Sequence, residues 1–219
     1  MNVAFPAEPP VSRREILRYA GCRNGEAQGL PLDECLLLLK GQLSCRVVWD
    51  VFPLSVTEDV VDLGFARVTS AKLSSALSGC RQVLVFAATV GLGMDRLIAR
   101  YERVSPATAL LLHAIGAERI ESLCDAFCRE RDEALSLSGL ALRPRFSPGY
   151  GDLPLSFQRD IFRALECEKR IGLTLTDSLL MSPSKSVTAI AGISTCSAQT
   201  PGSRCAACGK PDCAFRQQP

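Results

Sequence analysis

From Ser105-Pro106 to about Leu135 the chain carries one continuous helical pattern. Ile120, Leu123, Cys124 and Phe127 fall at i, i+3, i+4 and i+7, which places them on a single apolar stripe. A helix that long crosses a small domain from end to end, at about 1.5 Å per residue. Whatever else the chain forms must pack a core against it. Cys124 and Cys128 belong to or border the stripe, so they read as packing rather than chemistry.

The segments around that helix mix strands and helices. Gln82 to Thr89 (with VLVFAAT at its heart) is a nearly unbroken apolar run, which suits a buried central strand. Arg46 to Leu54 and Ser186 to Ile193 read as further strands, and Val60 to Val68 as one interrupted at Gly64. Leu173 to Thr176 looks extended. Ser12 with Glu15 forms a capping-box signature for a short helix ending at Gly21. A polar loop, 24–29, follows it. Pro31 then opens a helix with Leu32, Cys35, Leu36, Leu39 and Leu43 along one side. Ser70 caps another small helix, and Phe157, Ile161 and Leu165 mark a later amphipathic one. There is no regular βαβ alternation, so the expectation is α+β: a mixed or antiparallel sheet packed with helices around one long central helix. Gly91-Leu92-Gly93 lacks the third glycine of a dinucleotide loop, and a tight strand-to-helix turn explains it equally well.

Composition narrows the function. The 219 residues carry a net charge of +2 with basic and acidic groups interspersed, which argues against nucleic acid or an anionic membrane as the main partner. No charged leader precedes a long apolar run at the N-terminus, and no apolar stretch approaches the ~20 residues that span a bilayer. A cytoplasmic location is expected. The single histidine, His113, makes serine-type triads and histidine-rich metal sites improbable, and reads as packed or at the solvent edge.

Chemistry concentrates in the loop Arg145-Phe-Ser-Pro-Gly-Tyr-Gly-Asp152. Pro148-Gly149 forces a turn whose glycine lets backbone approach a ligand. Arg145 offers a planar fork for a carboxylate, Tyr150 a ring face and a hydroxyl, and Asp152 a partner for an ammonium. Such a set could hold a small zwitterion. Equally, Arg145 and Asp152 could simply pair with each other in an ordered turn.

Arg145-x-x-Pro148-Gly149-Tyr150 resembles the loop of the activation domain of cobalamin-dependent methionine synthase. The resemblance continues through Ile171-Gly-Leu-Thr-Leu-Thr-Asp-Ser178, Met181-Ser-Pro183 and Ser186-Val187. Upstream, Ser12-Arg-Arg-Glu-Ile-Leu-Arg-Tyr and the AATVG run are similar to stand-alone members of that family. The match covers most of residues 10 to 194.

The family resemblance implies binding of S-adenosylmethionine and reductive methylation of an oxidised cobalamin held by a partner protein, with a flavodoxin-type electron donor. It makes the chain an accessory subunit of a methyltransferase, acting in trans on a corrinoid-binding methionine synthase that lacks its own activation domain. It also implies a ligand set of Arg145, Ser147, Gly149 and Tyr150, with Asp50 from Asp50-x-x-Pro53 and a glutamate of the long helix, Glu118 or Glu121. Two departures stand out. The loop continues Gly-Asp where the synthase has proline, and no tyrosine follows Tyr150.

From Thr195 the composition shifts to small residues, Pro, Gly and cysteine, which sets a boundary between a domain at 1–194 and a tail at 195–219. Cys205-x-x-Cys208 with Cys213 and Cys196 offers four thiolates with the spacing of a metal knuckle. Zinc would make it structural, an iron–sulfur cluster would make it a redox centre, and without metal it is a reduced tail. Two other readings use that tail: a redox or docking partner of corrinoid proteins that does not bind S-adenosylmethionine, and a zinc-containing interaction protein.

Overall fold

The structure, a computed structural model, describes residues 1–22 and 30–195. The loop expected at 24–29 and the cysteines of the tail lie outside the described residues. The chain opens with β1 (Asn2–Ala4), α1 (Arg13–Tyr19) and α2 (Leu32–Leu38), followed by β2 (Arg46–Pro53). A small meander, β3 (Ser55–Thr57), β4 (Val60–Asp62) and β5 (Arg67–Thr69), leads into α3 (Ala71–Ala76) and β6 (Gln82–Thr89). Helices α4 (Leu92–Glu102) and α5 (Pro106–Ser136) come next, then β7 (Leu140–Leu142). A single 3-10 turn (Leu155–Phe157) starts α6 (Gln158–Leu165), and α7 (Cys167–Ile171), β8 (Thr174–Leu175), β9 (Met181–Ser182) and β10 (Ser186–Thr195) complete the order.

Five strands form the main sheet in the order β1-β2-β6-β10-β7, every pairing antiparallel. The fold is α+β. β6 lies at its centre, and its side chains alternate between two cores. Leu84, Phe86 and Ala88 face a layer built by α1, α2, α4 and α5. Val83, Val85 and Ala87 face α3, α6, α7 and the meander. Both faces are covered, which is why this strand reads as an unbroken apolar run rather than an alternating one. Phe86 and Trp49 both meet Phe127 of α5, with ring centroids 5.0 and 6.1 Å apart. Burying one such ring contributes about 1.5–3 kcal/mol.

The long helix starts as its sequence dictates, with Ser105 accepting from the Thr108 amide and Pro106 at the first turn. Ile120, Leu123, Cys124 and Phe127 are all buried. No described helix is long and apolar enough to cross a membrane.

Two local features differ from the simplest sequence expectation, and a third, at Gly91, matches one that the sequence offered. The segment Val60 to Val68 is two strands, because Asp62 accepts from the Gly64 amide at 2.9 Å and so closes a turn between them. The capping box at Ser12 is half-formed. Its hydroxyl accepts from the Glu15 amide, but the Glu15 carboxylate turns to Arg18 and the Ser12 amide goes to Glu118, at 2.9 Å. Gly91-Leu92-Gly93 is a strand-to-helix turn.

The reason for glycine at that turn is contact. A Cβ on Gly93 would stand 1.9 Å from the Gln42 carbonyl oxygen. Gly93→Ala is therefore expected to lower stability by about 1–3 kcal/mol, the usual cost of forcing atoms into packed space. Urea denaturation reads it, and an unchanged midpoint would contradict the close approach.

Candidate ligand-binding site

The chain leaves β7 along the outer edge of β10. Arg143 donates its amide to the Gly192 carbonyl at 2.7 Å, and Phe146 exchanges two 2.8 Å bonds with Ile190. At Pro148-Gly149 it turns away, with Gly149 at φ +89. From Ser186 to Ala189 no strand pairs with the outer edge of β10 among the described residues.

The turn is fastened from within and below. The Gly149 amide reaches the Leu153 carbonyl at 2.9 Å, and the Leu153 amide the Tyr150 carbonyl at 3.1 Å. Asp152 caps α3, accepting from the Ser70 hydroxyl and from the amides of Ala71 at 2.8 Å and Lys72 at 3.3 Å. It neither pairs with Arg145 nor stands ready for a ligand ammonium, because α3 leaves its first amides without intrahelical partners and Asp152 satisfies them.

That cap has a pH signature. The Ser70 hydroxyl and the α3 amides hold the Asp152 carboxyl below its ordinary range. Its contribution is therefore full above that range and lost as pH falls through the lowered value. The melting-temperature gap between wild type and Asp152→Asn is expected to stay constant from neutral pH down to about pH 5 and to close on further acidification. A gap that widened below that pH would contradict the assignment.

Arg145 points the other way, onto α5. One terminal nitrogen donates to Glu121 at 2.6 Å, and the other lies 2.7 Å from Asp125. Glu121, Asp125 and Cys128 follow one another at helical spacing on that face. Burial opposes the guanidinium charge, yet the surrounding Cys124, Asp125, Glu121 and Cys128 outweigh it and raise the Arg145 pKa. Burial likewise pushes the Cys128 thiol up, against the pull of Arg145. Cys128 is a neutral thiol in the wall.

These groups line a cavity of about 970 Å³ between α5, the Arg143–Pro154 loop and β10. Ser147, Pro148, Tyr150, Gln158, Met181 and Thr188 also line it, as do the charged Arg129, Asp132 and Arg143. Gln158 and Thr188 are 6% and 2% exposed, and the Gln158 Oε1 and Thr188 Oγ1 atoms have no hydrogen-bond partner among the described residues.

The model of the family described as "Vitamin B12 dependent methionine synthase, activation domain" matches residues 74–200, more than half of the chain. The chain belongs to that family. The crystal structure of the MetH reactivation domain bound to AdoHcy shares the fold, with a TM-score of 0.61 over 88% of this chain and 72% of that one, at 20% identity. No curated protein sequence matches.

In this member of the activation-domain family, the residues singled out in the sequence fall in different places. Arg145, Ser147, Tyr150 and Glu121 line the one cavity. Gly149 forms the turn between Ser147 and Tyr150. Asp50 lies on β2, 2.7 Å from the Met1 amino group, and Glu118 is sealed inside the α1–α5 contact; neither lines the cavity. Cys196, Cys205, Cys208 and Cys213 lie outside the described residues. Within the described ones no three of His, Cys, Asp and Glu are grouped to hold a metal.

Sequence reading did not single out Asp125, Gln158 or Thr188. Asp125 had a signal, one helical turn after Glu121. Thr188 had a weaker one, a hydroxyl inside the apolar run of β10. Gln158 had none.

Proposed function

We propose that the chain binds S-adenosylmethionine in this cavity and presents it to a cobalamin carried by a methionine synthase module, with a flavodoxin-type protein as electron donor. Arg145 carries the reading. A guanidinium already fixed between two carboxylates, at the wall of a cavity of ligand size, matches the charged end of an amino-acid ligand. Family membership supplies the reaction context.

The residues present fit the ligand chemically. The carboxylate of its methionine end suits Arg145, and its ammonium and sulfonium suit Glu121 and Asp125. Phe146, Pro148, Met181 and Val187 offer apolar surface for a ring. Unpartnered Gln158 and Thr188 leave hydrogen-bonding capacity in the wall. Bound there, the ligand would supply an activated methyl group. The chain's own part is positioning and exclusion of water: it hangs the loop on β10 through Phe146 and fixes the guanidinium against α5.

Isothermal titration with S-adenosylmethionine and S-adenosylhomocysteine tests binding. Adding the protein to an oxidised methionine synthase that lacks its activation domain, with reduced flavodoxin, tests activation. Saturable binding with recovery of methylcobalamin absorbance supports the proposal. Absence of binding removes its basis. On spacing alone, the tail cysteines 196, 205, 208 and 213 remain proposed ligands for zinc or an iron–sulfur cluster, which metal analysis of anaerobically purified protein decides.

A further inference from the structure

The cavity has two chemically different ends. On α5 the wall is charged, with Arg145 between Glu121 and Asp125. On the β10 and α6 side two neutral polar groups stand in the wall, the Gln158 amide at the first residue of α6 and the Thr188 hydroxyl on β10, with Arg143 farther along the same edge beside Gly192. Both are more than nine-tenths buried. Gln158 Oε1 and Thr188 Oγ1 find no partner among the described residues. Buried polar atoms are paired in the great majority of cases, and an unpaired one costs stability. Two of them in the wall of one cavity mark a place where a ligand supplies the missing partners.

The fold explains how they come to face the same space. β10 carries its even-numbered residues toward the α6 layer, since Ile190 packs there, whereas Ala189 and Ala191 pack toward α5. Thr188 is two residues from Ile190 and shares its face. It also sits where the outer edge of β10 has lost its neighbour, because the chain last pairs with it at Phe146↔Ile190. The wall here is an open strand edge flanked by a hydroxyl and an amide.

We infer that Gln158 and Thr188 read the nucleoside end of the ligand, which is the uncharged, hydrogen-bonding end, while Arg145, Glu121 and Asp125 hold its amino-acid end. The inference rests on the proposed binding of an S-adenosyl ligand in this cavity and adds its orientation. Uncharged groups cannot neutralise a carboxylate or an ammonium. They do match a purine or ribose: an amide meets the adenine edge with one donor and one acceptor, as glutamine does when it reads adenine in DNA. A hydroxyl suits a ribose oxygen or a ring nitrogen. Gln158 reaches such a partner by rotating its terminal amide, a broad torsion.

The test uses the full chain, two probes and three variants. S-adenosylhomocysteine carries both ends, and 5′-methylthioadenosine carries the nucleoside without the amino acid. Gln158→Met and Thr188→Val keep side-chain size and remove the hydrogen-bonding atoms; Arg145→Met removes the charged contact. Each of the first two is expected to weaken both probes by about three- to tenfold, the range of one neutral hydrogen bond. Arg145→Met is expected to weaken S-adenosylhomocysteine alone. Removing an unsatisfied atom also leaves the ligand-free melting temperature equal or higher, a result a structural role would not give.

If wild type binds S-adenosylhomocysteine and the Gln158 and Thr188 variants match it, the orientation is wrong and the binding proposal stands. A fall in melting temperature or loss of folding in Gln158→Met and Thr188→Val likewise overturns the inference, by showing a structural role. If wild type binds neither probe, the binding proposal itself fails.

Discussion

Replacing Arg145 with methionine is expected to weaken S-adenosylmethionine binding by roughly thirty- to a hundredfold. The side chain makes two charge-assisted contacts, to Glu121 and Asp125, so its guanidinium is already oriented before a ligand arrives. Exchanging one of them for a ligand carboxylate keeps the count of such bonds, and losing the fork removes about 2–3 kcal/mol of binding. Arg145→Lys restores the charge without the fork and should recover only part of the affinity. Titration calorimetry on the three proteins reads this directly. A methionine variant within threefold of wild type would mean that the guanidinium holds α5 to the loop and nothing more.

The second large effect is expected from Glu118→Gln, and it is structural. Glu118 and Arg119 are both 2% exposed and form a forked pair, with Arg119 Nε at 2.5 Å from Oε2 and Nη2 at 2.6 Å from Oε1. Glu118 also accepts from the Ser12 amide and, at 2.8 Å, from the Ser122 hydroxyl. Arg119 in turn donates to the Pro9 and Pro10 carbonyls at 2.6 and 2.9 Å. The pair thus ties the segment before α1 to the middle of α5. Making Glu118 neutral leaves the Arg119 charge buried without its counter-ion, which costs about 3–5 kcal/mol. For a domain of this size that lowers the melting temperature by roughly 6–20 °C. Ligand affinity, measured well below the transition, should stay within about twofold of wild type. An unchanged melting temperature with a large loss of affinity would return Glu118 to the ligand.

Those two residues also show what the sequence could and could not disclose. The stripe Ile120, Leu123, Cys124, Phe127 and the run of β6 were readable because burial on one helical face, or on both faces of a strand, leaves a periodic trace. Arg145 was readable because its loop has a distinctive order, Pro-Gly-Tyr after an arginine. Glu118 and Glu121 stand one turn apart on the same helix, so spacing alone could not separate them. What separates them is long-range: Glu118 meets Ser12 and Arg119 meets Pro9 and Pro10, whereas Glu121 meets Arg145. The three-residue strand β1 left almost no periodic signal, and it exists because the longer β2 offers an edge. Gln158 and Thr188 were invisible for a further reason. An unpartnered polar atom is defined by what surrounds it in space, and no local pattern records that.

β10 joins two roles that proteins usually keep apart. Its inner side is paired with β6 along eight residues, from Ser186↔Thr89 to Ile193↔Gln82, in the part of the sheet buried on both faces. Its outer side, from Ser186 to Thr188, is a cavity wall. Amides in such a doubly covered pairing open only when the whole molecule does. A ligand resting on that wall therefore meets a surface that is already in place, and little ordering entropy is lost from this strand when it docks. The same arrangement sets a limit on variation. Whatever alters the wall at Thr188 also touches the strand that holds both cores together, so selectivity is more freely tuned from the loop than from the sheet.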